Sequence, residues 1–164
     1  MDKQYRPNAA VLITDGSGRI LLCERIDTAP SISPMAGGGL QVQTVQGGVD
    51  HGETAREAAV REVREEVGLK PEQFTIIAEQ AEKFRYEWPE DYKARFPPGI
   101  VDEFVGQEQT FFLAQVEPDV VFDLETHHPE FSRVWWGSPQ ELVDQCWEVK
   151  RPGIERALKD FGLL

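Results

Sequence analysis

Glu62, Glu65 and Glu66 are the residues of this sequence whose type and spacing can do chemistry. On a helix, positions i, i+3 and i+4 fall on one face, so the three carboxylates stand side by side. Each exposed like-charged pair costs about 0.3 kcal/mol, and Arg61 and Arg64 offset only part of that. A bound divalent cation reverses the sign. Carboxylate oxygens are hard ligands of the kind that suits Mg²⁺ or Mn²⁺ rather than Zn²⁺, so magnesium with retained waters and substrate phosphates is the expected occupant. A Glu-x-x-Glu-Glu pattern by itself is more often a solvated helix face; its weight comes from its surroundings.

The element that positions these acids is well marked. Thr54-Ala55-Arg56-Glu57 fits a capping box, Gly68 supplies a C-terminal stop, and Ala59, Val60, Val63 and Val67 give the helix an apolar face. Upstream, Ala9 to Thr14 and Ile20 to Cys23 predict a hairpin turned by Asp15-Gly16-Ser17-Gly18. Residues 27–39, with Pro30, Pro34 and glycines at 37 to 39, predict a loop, followed by a strand at 41–46. Further strands are expected at Phe74 to Ala78, extending through Phe84, Tyr86 and Trp88, at Thr110 to Val116 and at Arg133 to Trp136. Pro89 to Gly106 predicts a long loop. Ser138-Pro139-Gln140-Glu141 predicts a second capping box, and a last helix is expected from Gly153 to Phe161. Strands and helices alternate without repeats, so a single α/β domain over residues 1–164, helices packed on a mixed sheet, is the expected architecture.

Composition narrows the partners. The 164 residues are 40% hydrophobic and 28% charged, ordinary globular usage that argues against disorder. The longest apolar run, Ala9 to Ile13, is far short of the roughly 20 residues of a membrane span, and Met1-Asp2-Lys3-Gln4 begins no signal-peptide core, so no membrane partner and a cytoplasmic location are expected. Cys23 and Cys146 are lone residues that predict no disulfide. With 29 acidic against 17 basic residues, the net charge of -12 disfavours duplex DNA, while leaving open polyphosphates held through a metal.

The residues from Gly47 to Leu69 read as one motif: Gly47, Glu53, Arg61, Glu62, Val63, Glu65, Glu66, Gly68 and Leu69 occupy every specified position of the Nudix box. At roughly 7% usage per residue type, agreement at its singly specified positions arises by chance about once in a hundred million windows. The sequence therefore resembles Nudix hydrolases, which cleave a nucleoside diphosphate linked to another moiety. That resemblance implies a Nudix α/β/α sandwich, a divalent cation held by Glu62, Glu65 and Glu66, and water attack at phosphorus. Gly47 and Gly48 would allow a tight backbone path, and Arg61 would orient a glutamate such as Glu53, whose role is expected to be structural rather than ligating, as is that of Gly68.

Pieces outside the box, in order, resemble the RNA pyrophosphohydrolase and asymmetrical dinucleoside tetraphosphatase branch: Tyr5-Arg6-Pro7-Asn8, Gly106-Gln107-Glu108-Gln109, Pro129-Glu130-Phe131 with Trp136, and Lys150-Arg151-Pro152. Matched residue by residue, Glu130 falls on an additional glutamate that acts as metal ligand or general base. Arg25, Gln107 and Lys150 fall on phosphate-contacting positions, and Tyr86 on a nucleotide-pocket tyrosine. Two departures stand out. Val42-Gln43-Thr44-Val45-Gln46-Gly47-Gly48 lacks the branch's tryptophan and proline, and Val149 replaces an aromatic base platform, a role left to Trp147 or Trp135. Residues 28–39 form an insertion beside the expected substrate entrance.

The resemblance thus implies a pyrophosphohydrolase acting on dinucleoside polyphosphates or 5′-triphosphorylated RNA ends, with Glu65 or Glu130 taking the water proton and Arg61 assisting. The alternatives are a nucleotide-sugar or nucleoside triphosphate pyrophosphatase and, from another class, a non-catalytic ligand sensor. Oligomeric state stays open.

Overall fold

The computed structural model describes residues 2–26, 42–93, 99 and 103–164. The predicted loop at 27–39, with the insertion at 28–39, and residues 94–98 and 100–102 of the predicted loop at 89–106 lie outside these residues. The elements in chain order are β1 (Tyr5–Thr14), β2 (Ile20–Arg25), β3 (Val42–Gln43), β4 (Val45–Gly48), α1 (Ala55–Val67), β5 (Phe74–Glu79), β6 (Phe84–Glu87), α2 (Glu90–Lys93), β7 (Gly106–Val116), β8 (Phe131–Gly137), α3 (Pro139–Gln145) and α4 (Arg151–Asp160). None of these helices is long and apolar enough to cross a membrane.

The eight strands form one mixed sheet with β3-β2-β1-β7-β5 as its main path; β4 pairs with β1, β6 with β7 and β8 with β2. Its spine is the parallel pair β1 and β7, in register from Tyr5 opposite Gly106 to Thr14 opposite Gln115. Because side chains alternate across a strand, β1 feeds two cores. Ala9, Val11 and Ile13 meet Val63 and Val67 of α1 on one face, while Ala10 and Leu12 meet Leu142 of α3 and Ile154 and Leu158 of α4 on the other. A strand buried on both faces reads as a continuous apolar run, which is why Ala9 to Ile13 shows no alternation. The result is the α/β/α sandwich expected from the resemblance.

Helix α1 is built as its sequence dictates. Thr54 accepts from the Glu57 backbone N–H, the Glu57 carboxylate accepts from the Thr54 N–H, and Gly68 closes the helix with φ of 72°. Elsewhere the structure corrects the expected elements. The hairpin is closed only at its turn, where Thr14 faces Ile20; β2 then leaves β1 to pair with β8 and β3. The stretch from Phe74 to Trp88 is not one strand but two, because the eleven residues of β7 are long enough to pair with β5 and then β6. The second capping box is half made: Ser138 caps the Glu141 N–H, but the Glu141 carboxylate accepts from Trp135 Nε1 instead. The predicted strand at 41–46 is broken at Thr44, whose hydroxyl donates to the Val11 carbonyl.

Candidate active site

Where β2 diverges from β1, a cavity of about 530 Å³ opens between the two helical layers. Helix α1 and strand β4 form one wall, and Tyr86, Gln107 and Lys150 another. Glu62, Glu65, Glu66, Glu130, Arg25, Tyr86, Gln107 and Lys150 all line it, as do Gly47 and Gly48. Arg61, Glu53 and Gly68 stand outside.

The acids differ sharply in environment. Glu66 is 3% exposed; its Oε2 accepts from the Gln46 backbone N–H at 3.2 Å, and its Oε1 is buried without a partner. Burial, then repulsion from Glu130 and Glu62, pushes its pKa well above the carboxylate range. Glu62, 8% exposed, is raised to about 7 by burial, against the opposing pull of Arg61. Glu65 is exposed and accepts from Arg61 Nη1 at 3.1 Å.

Arg61 organises the helix start. It donates to both Glu53 oxygens at 2.8 and 2.9 Å, to Glu62 at 2.7 Å and to the Gly48 carbonyl at 2.8 Å. Glu53, which also accepts from the Asp50 N–H at 2.9 Å, is held down to about 2, first by Arg61. Glu53 thus has its oxygens occupied, while Glu66 keeps one free. Among the described residues no three carboxylate, histidine or cysteine side chains converge on one ready-made cation position; Glu62 and Glu65 lean onto Arg61.

The glycines of the motif have steric reasons. A Cβ at Gly47 would overlap the Glu62 carboxyl group, and one at Gly68 would lie 2.6 Å from the Asp123 carbonyl oxygen. Asp123 in turn donates its N–H to the Val67 carbonyl at 2.9 Å, which ties the segment leading to Glu130 onto the end of α1. Gly47→Ala should therefore displace Glu62 and lower kcat at least about tenfold, for a stability cost of about 1–3 kcal/mol. Kinetics beside a thermal melt check it: wild-type kcat in a folded variant contradicts the packing argument.

On the opposite wall, Tyr86 donates to Gln107 Oε1 at 2.5 Å. The Lys150 ammonium is lowered to about 7 by burial and then by Arg25. Trp147 lines the cavity, 4.8 Å from the Tyr92 ring and 6.1 Å from Tyr86. Trp135 does not; it carries Arg133 over its ring at 4.5 Å, which separates the two candidates for an aromatic platform. Sequence reasoning missed Arg6, Asn8, Gln46, Tyr92, His127 and His128 as cavity residues. Arg6 and Asn8 share the alternation of Ala10 and Leu12, a signal that could have placed them on this face. Tyr92 lies in a short helix within the predicted loop and carries no such signal.

This sequence and this fold have known counterparts. The NUDIX domain family matches residues 4–157, and the chain belongs to that family; it is a Nudix pyrophosphohydrolase by class. The RNA pyrophosphohydrolase of Erythrobacter litoralis is 35% identical, over 99% of this chain and 94% of its own length. Among solved structures, the Escherichia coli dihydroneopterin triphosphate pyrophosphohydrolase superposes with a TM-score of 0.64 at 24% identity, over 94% of this chain and 97% of that one. The Caenorhabditis elegans Ap4A hydrolase binary complex gives 0.64 at 19%, over 95% and 96%. Both share the fold.

Proposed function

We propose that this chain, as a single domain over residues 1–164, hydrolyses a pyrophosphate bond in a 5′-triphosphorylated RNA end or a dinucleoside polyphosphate. The observation that carries this reading is the buried carboxylate pair Glu62 and Glu66, one oxygen unpartnered, in a cavity that also holds Arg25 and Lys150. Hard oxygen donors fit a divalent cation, preferably Mg²⁺ with Mn²⁺ as substitute, held by Glu62, Glu65, Glu66 and Glu130. When bound, such a cation neutralises phosphoryl oxygens and lowers the pKa of a water nucleophile.

The chain's own residues do the rest. Arg25 and Lys150 attract the phosphates, Tyr86 and Gln107 bound the nucleotide end, and Glu130 or Glu65 accepts the proton of the attacking water. Arg61 holds Glu53 and Glu62 in place. The free, buried cysteines Cys23 and Cys146 suit a reducing cytoplasm, and the acidic net charge suits contact with RNA at its 5′ end only. Purified protein assayed with and without magnesium on diadenosine tetraphosphate, triphosphorylated RNA, deoxynucleoside triphosphates and nucleotide sugars tests the reading. Metal-dependent release from the first two supports it. Preference for either of the others overturns the substrate assignment, and binding without turnover overturns the enzymatic one.

A further inference from the structure

Behind the cavity wall three amides from three strands are joined. Gln109 on β7 is 1% exposed and does not line the cavity; Asn8 on β1 and Gln46 on β4 do. The Gln109 Nε2 group donates both hydrogens, to Asn8 Oδ1 at 3.1 Å and to Gln46 Oε1 at 2.8 Å. Asn8 and Gln109 are direct register partners, and they share the sheet face of Ala10, Leu12 and Phe111, the face that looks toward α4 and Lys150. With both amide oxygens engaged from behind, the NH₂ groups of Asn8 and Gln46 have no protein partner among the described residues.

The orientation of this relay is set by satisfaction of buried groups. As arranged, its buried orphan is one acceptor, Gln109 Oε1. Turning the Gln109 amide over would leave two buried N–H donors unpaired, a larger penalty, since each costs about 1–3 kcal/mol. Gln109 therefore dictates that its two neighbours offer donors, not acceptors, to whatever enters.

We infer that Asn8 and Gln46 bind phosphoryl oxygens of the polyphosphate chain through their amide NH₂ groups, and that Gln109 is the positioning residue that turns them outward. The inference rests on the proposed polyphosphate substrate. Phosphate is favoured over a base as the recognised group because Asn8 and Gln46 line the same cavity as Glu62, Glu66, Arg25 and Lys150, the groups suited to a cation and to phosphates. Neutral donors grip an anion there without the desolvation cost of a further buried charge.

Gln109→Glu is the sharpest test. A carboxylate at 109 accepts from Asn8 and Gln46, reverses both amides and presents their oxygens to the substrate. KM for diadenosine tetraphosphate should rise at least about tenfold, as expected for lost hydrogen bonds to a charged group, with kcat within about twofold. Affinity for magnesium tripolyphosphate by calorimetry should fall in parallel, and Mn²⁺ affinity should not. Asn8→Ala and Gln46→Met remove one donor group each and should give the same split, so the question is answered even where Gln109→Glu does not fold. Unchanged KM and tripolyphosphate affinity overturn the inference. So does a loss confined to nucleotides, which would mean that the amides read the base, or an equal loss of Mn²⁺ affinity, which would mean that the relay only props Glu66. A wild-type protein that binds tripolyphosphate through these amides yet hydrolyses no substrate refutes the proposed function alone.

Discussion

Glu66→Gln lowers turnover at least about a hundredfold, and in the metal-free protein it raises the melting temperature at neutral pH. Both effects come from one environment. Glu66 sits 3% exposed with an unpartnered oxygen, beside Glu130 and Glu62. Glutamine keeps the shape and can still accept the Gln46 N–H, but it carries no charge for a cation and no repulsion toward its neighbours. At neutral pH the buried Glu66 must take up a proton on folding when no ion is there to balance its charge, and glutamine is free of that cost, so the substitution is stabilising. Steady-state kinetics and melts in chelator check the pair. Unchanged turnover in a folded variant would sink the assignment of Glu66 as a metal ligand, and a lowered melting temperature would contradict the account of its burial.

The second expected result concerns pH. In chelator the protein should lose stability between about pH 5 and pH 7, unlike a protein whose carboxylates are stabilised as anions; above pH 7 the buried Lys150 amine, held down to about 7, adds stability with rising pH and offsets the trend. Glu62 ionises near 7 when folded and near 4.3 when unfolded, so in this window the folded state binds more protons. Stability from this group is complete below the unfolded value and is lost as pH rises through the folded one. The difference corresponds to about 4 kcal/mol for Glu62, and Glu66 acts in the same direction. Asp15 and Glu53, both held down to about 2, contribute stability that is constant across this window and is lost only in stronger acid. Saturating Mg²⁺ binds the folded state and should flatten the trend, while cation affinity itself increases with pH as protons leave the ligands. Melts at pH 5, 6 and 7, with and without Mg²⁺, decide it: a melting temperature that rises with pH in chelator across this range overturns the buried-carboxylate account.

What could be read in advance followed the range of the interactions. Helix α1 was legible to its caps because Thr54, Glu57 and Gly68 act within a turn of themselves, and its acidic stripe is a property of spacing alone. The burial of Glu66 was not legible, since it depends on β4 arriving over the helix with Gln46 at the right register. The Asn8 and Gln109 contact joins residues 101 positions apart, and no local pattern announces such a meeting. The split of the Phe74 to Trp88 stretch failed for the same reason: alternation shows which faces a strand has, not how long its partner is. Glu141 misled because its carboxylate had a competing donor in Trp135.

The parallel pairing of β1 with β7 also bears on how the molecule is made. Strand β1 is made well before β7 and cannot acquire this principal neighbour until residue 116 has been synthesised, and the tie between Asp123 and Val67 comes later still. Local contacts can form α1 early, but long-range parallel pairing is slow and is gained only late in the chain. A nascent chain therefore displays the acidic helix well before it owns the cavity, whose lining also needs Glu130 and Lys150.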